Sequence, residues 1–415
     1  MSSIASAVLT LLPQAQTTTP PPSWESLATE YDLAFEDWVH QAQLGGEATE
    51  APHPVAEFWA RFEALADQGE GRATLWLLAN LPYLPSGTTR PAAALLARVQ
   101  RGGDAEWVGP ALFQLGASRA NFDTDELVDF LEQRMATSAL DPLRARAALA
   151  LAVVLAPEDA AQAAYLRLWA AMLVHQGVDL APGEVLAPED LEDLGTSVLD
   201  AVGKEADAYF GLAYRQGKDG TYYPVSGAPP DPEELWRSTI EELALRGSSR
   251  ARLWALRNAP WQLDEAAKQR LRGFLESAVQ GGLADEDVAS FGWEIGGLVY
   301  RLGLPAIEPA IRSLIDKSPD SARPGLLFGL GDAVCEAAGA NAQELERGLA
   351  LLGEVRERWP GSDEAKRAEG RIFRYTNLVV GRVAPDFETV DADGNAFKLS
   401  DYEGKVTVID FWGFW

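Results

Sequence analysis

The chain has 415 residues, with 35 Lys+Arg against 62 Asp+Glu, a formal net charge of −27, and 47% hydrophobic residues. At roughly 150 residues per domain this length fits two or three domains. One cysteine, Cys335, and three histidines, His40, His53 and His175, exclude an internal disulfide framework and a Cys/His zinc site, while the negative field excludes nucleic-acid binding through a basic surface and the apolar content excludes disorder throughout.

The chain opens with an apolar run, Ile4 to Leu12, followed by Pro13 to Gln16 and a Thr/Pro spacer, Thr17 to Pro22. Residues 1–22 are expected to be a secretory signal and spacer, with the defect that no Lys or Arg precedes the apolar run. The expected location is the periplasm or cell envelope, and the cytoplasm is the alternative. No stretch reaches about 18 apolar residues, so no membrane-spanning segment is expected.

Residues 23–378 read as helical almost throughout. Apolar residues recur at spacings of three and four, and Gly or Pro punctuates the pattern. The spacing predicts helices over 24–43, 54–68, 71–80, 91–100, 124–136, 142–155, 158–176, 188–216, 232–246 and 249–258. Further helices are predicted over 263–279, 285–302, 305–317, 342–358 and 363–377. Gly69 and Gly247 each stand where a C-terminal cap is needed, and Ser362 followed by Asp363 and Glu364 is a helix start. Residues 217–232, GKDGTYYPVSGAPPDP, read as a long surface loop or small hairpin.

A duplicated unit lies inside this region. Residues 63–82 and 241–260 are identical at 11 of 20 positions without a gap, at an offset of 178. Each copy reads as a helical hairpin that turns at the glycine and ends before Pro82 or Pro260. Arg72 and Trp76, one turn apart, are expected to place a guanidinium on an indole. The offset is too long for a regular repeat, so the fold class expected is mainly α: an irregular solenoid of TPR- or HEAT-like hairpins. The 13 tryptophans sit among leucines at helical spacing, and helix packing is their expected role. Cys335, in GDAVCEAAGA, is expected to be a buried small apolar residue.

The grammar changes over residues 379–415. Asp393-Gly394 between short apolar segments predicts a hairpin, and Leu399 to Tyr402 reads as a helical turn. The run Val406 to Phe411 is β-branched and nearly all apolar, as a strand buried on both faces should be. Asp391 to Asn395 looks briefly like a calcium loop but has Ala396 where glycine is needed and Tyr402 where glutamate is needed.

These residues resemble the start of thioredoxin-like redoxins of the TlpA/ResA type. The resemblance rests on Gly381, Ala384-Pro385-Asp386-Phe387, Asp393-Gly394, Leu399-Ser400-Asp401, Gly404-Lys405-Val406 and Asp410-Phe411-Trp412 through Trp415. It covers roughly a quarter of such a domain. It implies an incomplete α/β thioredoxin-like segment in which a Cys-x-x-Cys motif comes next after Trp415. Helix-terminal placement lowers the thiol pKa of that motif. The resemblance also implies a proton-relay role for Asp410 and an active-site flank formed by Trp412 and Trp415. No cofactor or metal is implied.

The intended gene product is therefore expected to be a thiol–disulfide oxidoreductase, and residues 1–415 alone are expected to be inactive. Three origins are open for a stop at this point: an artificial boundary, a frameshift or nonsense change, and a UGA codon for selenocysteine. The third is the expectation. The expected partners are protein or small-molecule disulfides and an unidentified protein partner for the helical region. Two alternatives stand beside this: a non-catalytic helical scaffold, and a thiol peroxidase of the peroxiredoxin kind.

Overall fold

A computed structural model describes residues 23–44, 53–85, 91–175, 186–218, 220–281 and 291–410. The expected signal segment 1–22, residues 285–290 of a predicted helix, and Trp412 and Trp415 lie outside the described residues.

The protein is mainly α-helical. It divides into two compact units at Arg246/Gly247. The first unit holds α1 (Trp24–Leu44), α2 (Val55–Asp67), α3 (Gly71–Asn80), α4 (Ala92–Arg101), α5 (Val108–Ala117), α6 (Thr124–Thr137), α7 (Asp141–Leu155), α8 (Ala160–His175), α9 (Pro188–Ala213) and α10 (Pro232–Arg246). The second holds α11 (Ser249–Arg257), α12 (Glu265–Gly281), α13 (Ile295–Leu302), α14 (Leu304–Lys317), α15 (Arg323–Ala338), α16 (Ala342–Arg358) and α17 (Asp363–Asn377). The described residues also form two antiparallel hairpins: β1 (Tyr214–Gln216) with β2 (Tyr222–Pro224), and β3 (Glu388–Val390) with β4 (Ala396–Lys398). No helix among the described residues is long and apolar enough to cross a membrane.

Each unit is organised on a helix buried nearly all round. In the first this is α7, whose Ala147 to Ala152 are all buried and which packs on α5, α6 and α8. In the second it is α15, buried from Leu326 to Leu330 and packed on α13, α14, α16 and α17. Such helices show no amphipathic stripe because every side meets a neighbour. Two helices, α5 and α15, escape the predicted set because Gly and Pro interrupt their pattern. The interruptions serve packing: a Cβ on Gly116 of α5 would lie 3.0 Å from the Cα of Ala150 on α7.

The first copy of the duplicated hairpin forms as its sequence requires, α2 packing on α3. In the first copy α2 ends at Asp67 and Gly69 takes φ +92°. The Gly69 N–H donates to the Ala66 carbonyl and the Glu70 N–H to the Leu65 carbonyl, each at 3.1 Å, which is the paired bond of a Schellman turn. Gly247 in the second copy takes φ +129°. Asn80 and Asn258 close their helices alike, each side-chain amide donating to a tryptophan carbonyl, Trp76 at 2.9 Å and Trp254 at 3.1 Å.

Four details differ from the sequence expectations. Arg72 does not lie on Trp76: its guanidinium sits over Trp24, 5.2 Å from the ring centroid, and is held there by Glu70 and Glu25. Trp76 is buried instead, stacked on Phe62 at 3.8 Å. The helix expected over 188–216 stops at Ala213, where Tyr214 turns to β1. The tryptophans are not uniformly packed, since Trp261 and Trp293 are 66% and 58% exposed; arginines cover their faces, Arg301 and Arg367, each 4.4 Å from the ring centroid. Finally, Val406 to Asp410 pairs with no strand and is exposed, because a strand of this kind needs neighbours on both edges to satisfy its backbone.

Candidate functional site

The tail residues that carry the redoxin resemblance build one local structure. Asp391 accepts N–H bonds from Asp393 at 3.0 Å and Asn395 at 2.8 Å, folding the turn between β3 and β4, while Gly394 takes φ +85° there. These bonds hold the Asp391 carboxyl below its ordinary value, first through Asn395. Its oxygens thus serve the turn. Beyond β4, residues Leu399–Tyr402 form a 3-10 turn. Asp386 fastens this turn to the incoming strand, accepting from the Ser400 N–H and hydroxyl, both at 2.8 Å. Asp401 accepts the Lys398 N–H at 2.8 Å, and the Phe397 ring meets Tyr402 edge-on. The motif Ala384 to Phe387 and the motif Leu399 to Asp401 are thus the two halves of one clasp.

None of the described tail residues is buried. Asp410 is exposed, so the burial on which its expected proton-relay role depends is not present here. Val406 and Val408, its neighbours in the run, are 100% and 87% exposed. Cys335 is as expected: buried in α15, with its thiol pushed up to about 12 by burial and by Asp332 and Glu336. A thiol in that state is not a nucleophile at neutral pH.

The chain is similar to thiol–disulfide oxidoreductases named ResA. It is 48% identical over 40 residues to ResA of Geobacillus kaustophilus, a match of 10% of this chain and 23% of that protein. With ResA of Geobacillus thermodenitrificans it shares 45% over 40 residues, again 10% and 23%. With ResA of Bacillus thuringiensis it shares 32% over 47 residues, 11% and 27%. The chain therefore spans about a quarter of the length of the curated relatives it matches. No family model matches the chain, and no solved structure does.

The first unit holds a second candidate site that the sequence reading missed. A half-open cavity of about 530 Å³ lies among α1, α3, α5, α9 and the loop after β2, a size within the usual range for small-molecule sites. An arc of rings runs along one side. Tyr31 meets Trp76 edge-on at 4.9 Å and Phe35 at 6.2 Å; Phe35 continues to Trp38 at 5.8 Å. His53 packs against Trp38 at 4.7 Å and stacks on Tyr83 at 4.9 Å with planes 7° apart. Burial lowers the His53 pKa from its ordinary value, and its Nδ1 accepts the Val55 N–H at 3.3 Å.

The opposite wall belongs to the segment read as a long surface loop or small hairpin; β1 and β2 form the hairpin, and the loop after β2 lines the cavity. It is strapped to α1. Asp32, 7% exposed, accepts from the Ser226 N–H at 3.1 Å and from its hydroxyl. Arg215 reaches back to the Asp32 carbonyl and to Glu36, each at 2.7 Å. Burial raises the Asp32 pKa against the opposing pull of Ser226 and Arg215. The readable signal was an acid inside an aromatic stretch, YDLAF, facing a Pro-rich run that a mobile loop does not need.

Proposed function

We propose that residues 379–415 are the opening segment of a thioredoxin-like thiol–disulfide oxidoreductase domain, carried behind a helical body that binds a partner. The observation that supports this most is the clasp: Asp386 to Ser400 and Asp401 to Lys398 join motif elements in the redoxin order. The ResA matches point to the same chemistry.

In that chemistry a thiolate attacks a disulfide sulfur, the old S–S bond breaks, and the leaving sulfur departs as thiolate. No described residue of this chain supplies the attacking group, since Cys335 is buried and protonated. By the redoxin resemblance the reactive thiol would belong to a Cys-x-x-Cys motif, with Trp412 and Trp415 beside it. Asp410 would relay a proton to the resolving thiol once the domain's sheet covers it. In this reading residues 1–22 are an export signal, and the substrates are disulfides outside the cytoplasm.

The test is to sequence the natural gene across the Trp415 codon and assay its product for insulin reduction. A reading frame that runs on into a Cys-x-x-Cys motif, and activity lost on alkylation, is the expected result. A product that is folded and inert supports the second reading, a non-catalytic helical scaffold.

A further inference from the structure

We propose that the aromatic cavity of the first unit is a binding site for a small organic cation, an alkylated ammonium on an apolar body. Three observations carry this.

The first is the rings. Tyr31, Phe35, Trp38, Tyr83, Phe113 and Tyr209 line the cavity, together with His53. Aromatic faces attract a cation through the ring quadrupole, most strongly where water is displaced. Tyr83 at the rim is 58% exposed while Trp76 at the base is 1% exposed, so the arc runs from solvent into the interior.

The second is charge. Asp32, Asp231 and Glu234 line the cavity, and among the described residues that line it there is no Lys or Arg. Arg215, which donates to the Asp32 carbonyl, is engaged by Glu36. Burial first, then Tyr214, Asp231 and Glu234, push the Tyr209 hydroxyl up to about 12.

The third is construction. The wall opposite the rings is fixed by the buried Asp32–Ser226 bonds, and Pro224, Pro229 and Pro230 line it. Prolines hold φ and lose little entropy on ordering, so the cavity exists before a ligand arrives. An anion would be repelled by the three carboxylates.

The test uses the full chain and an isosteric pair of probes, choline and 3,3-dimethylbutanol, which differ in the charge of one central atom. Binding is followed by tryptophan fluorescence and calorimetry. Choline is expected to bind at least tenfold more tightly than the alcohol. Tyr83→Ala and Glu234→Gln, both at exposed positions, are each expected to weaken choline about tenfold with unchanged circular dichroism, while Tyr83→Phe, which keeps the ring, retains binding. Equal affinity for the two probes would make this a plain apolar pocket and overturn the proposal. So would the absence of choline binding, or choline binding that neither Tyr83→Ala nor Glu234→Gln weakens.

Discussion

Helix α16 carries two glycines with opposite roles, and alanine at each should move stability in opposite directions. Gly348 faces α15. A Cβ there would lie 2.5 Å from the Cys335 sulfur, 2.8 Å from the Cys335 backbone nitrogen and 3.0 Å from the Gly331 carbonyl oxygen. Turning the thiol aside relieves the first contact only, because the other two are backbone. The two helices must part by at least half an ångström, and Leu351, Leu352 and Val355 lose part of their packing with it. Overpacking of this kind costs about 1–3 kcal/mol. The intrinsic preference of a helix for alanine returns about 1 kcal/mol. Gly348→Ala should therefore destabilise the second unit by up to about 2 kcal/mol. Gly353, in the same helix, has nothing within 4 Å of its added carbon, so Gly353→Ala should keep the whole gain of about 1 kcal/mol. With an m-value of about 2 kcal/mol per M, the urea midpoint falls by up to about 1 M in the first variant and rises by roughly 0.5 M in the second. Far-UV circular dichroism in urea measures both. If Gly348→Ala raises the midpoint as Gly353→Ala does, or Gly353→Ala lowers it, the packing argument for α15 and α16 is refuted.

Two further outcomes are expected. A chain ended at Leu378 should unfold at the same urea midpoint as the full chain, because none of the described residues from 379 to 410 is buried; a lower midpoint would show that the tail supports the helical body. His53, held below 6.5 by burial, contributes stability that is present above 6.5 and lost as pH falls through its folded value, since the unfolded chain then binds the proton first. His53→Gln should flatten that part of the stability profile of the first unit, and a profile unchanged by the substitution would remove His53 as its cause.

Helix existence was legible because burial repeats at three and four along the chain. The cap at Gly69, the N-cap at Ser362, whose hydroxyl accepts the Ala365 N–H at 3.0 Å, and the turn at Asp393-Gly394 were legible because each needs a particular residue type. Local rules failed where a distant neighbour decided the outcome. Arg72 could reach Trp76 or Trp24, and two carboxylates beside Trp24 settled it. Helices α5 and α15 looked broken because their glycines serve a partner helix. The cavity was illegible as a site because its rings come from α1, α3, α5 and α9, and no spacing along the chain links Tyr31 to Tyr209. The stretch after β2 was read only as surface because its bond from Ser226 to Asp32 spans 194 residues.

The state of Cys335 has a practical consequence. It is the chain's one sulfhydryl, sealed in α15 and with its pKa pushed up to about 12. A cysteine introduced at any exposed position would then be the sole group to take a maleimide dye or a nitroxide. The protein is thus already suited to distance measurements by fluorescence or spin resonance, with no background mutation to make first. A label at Tyr83, on the rim of the aromatic cavity, would report directly on whatever enters it.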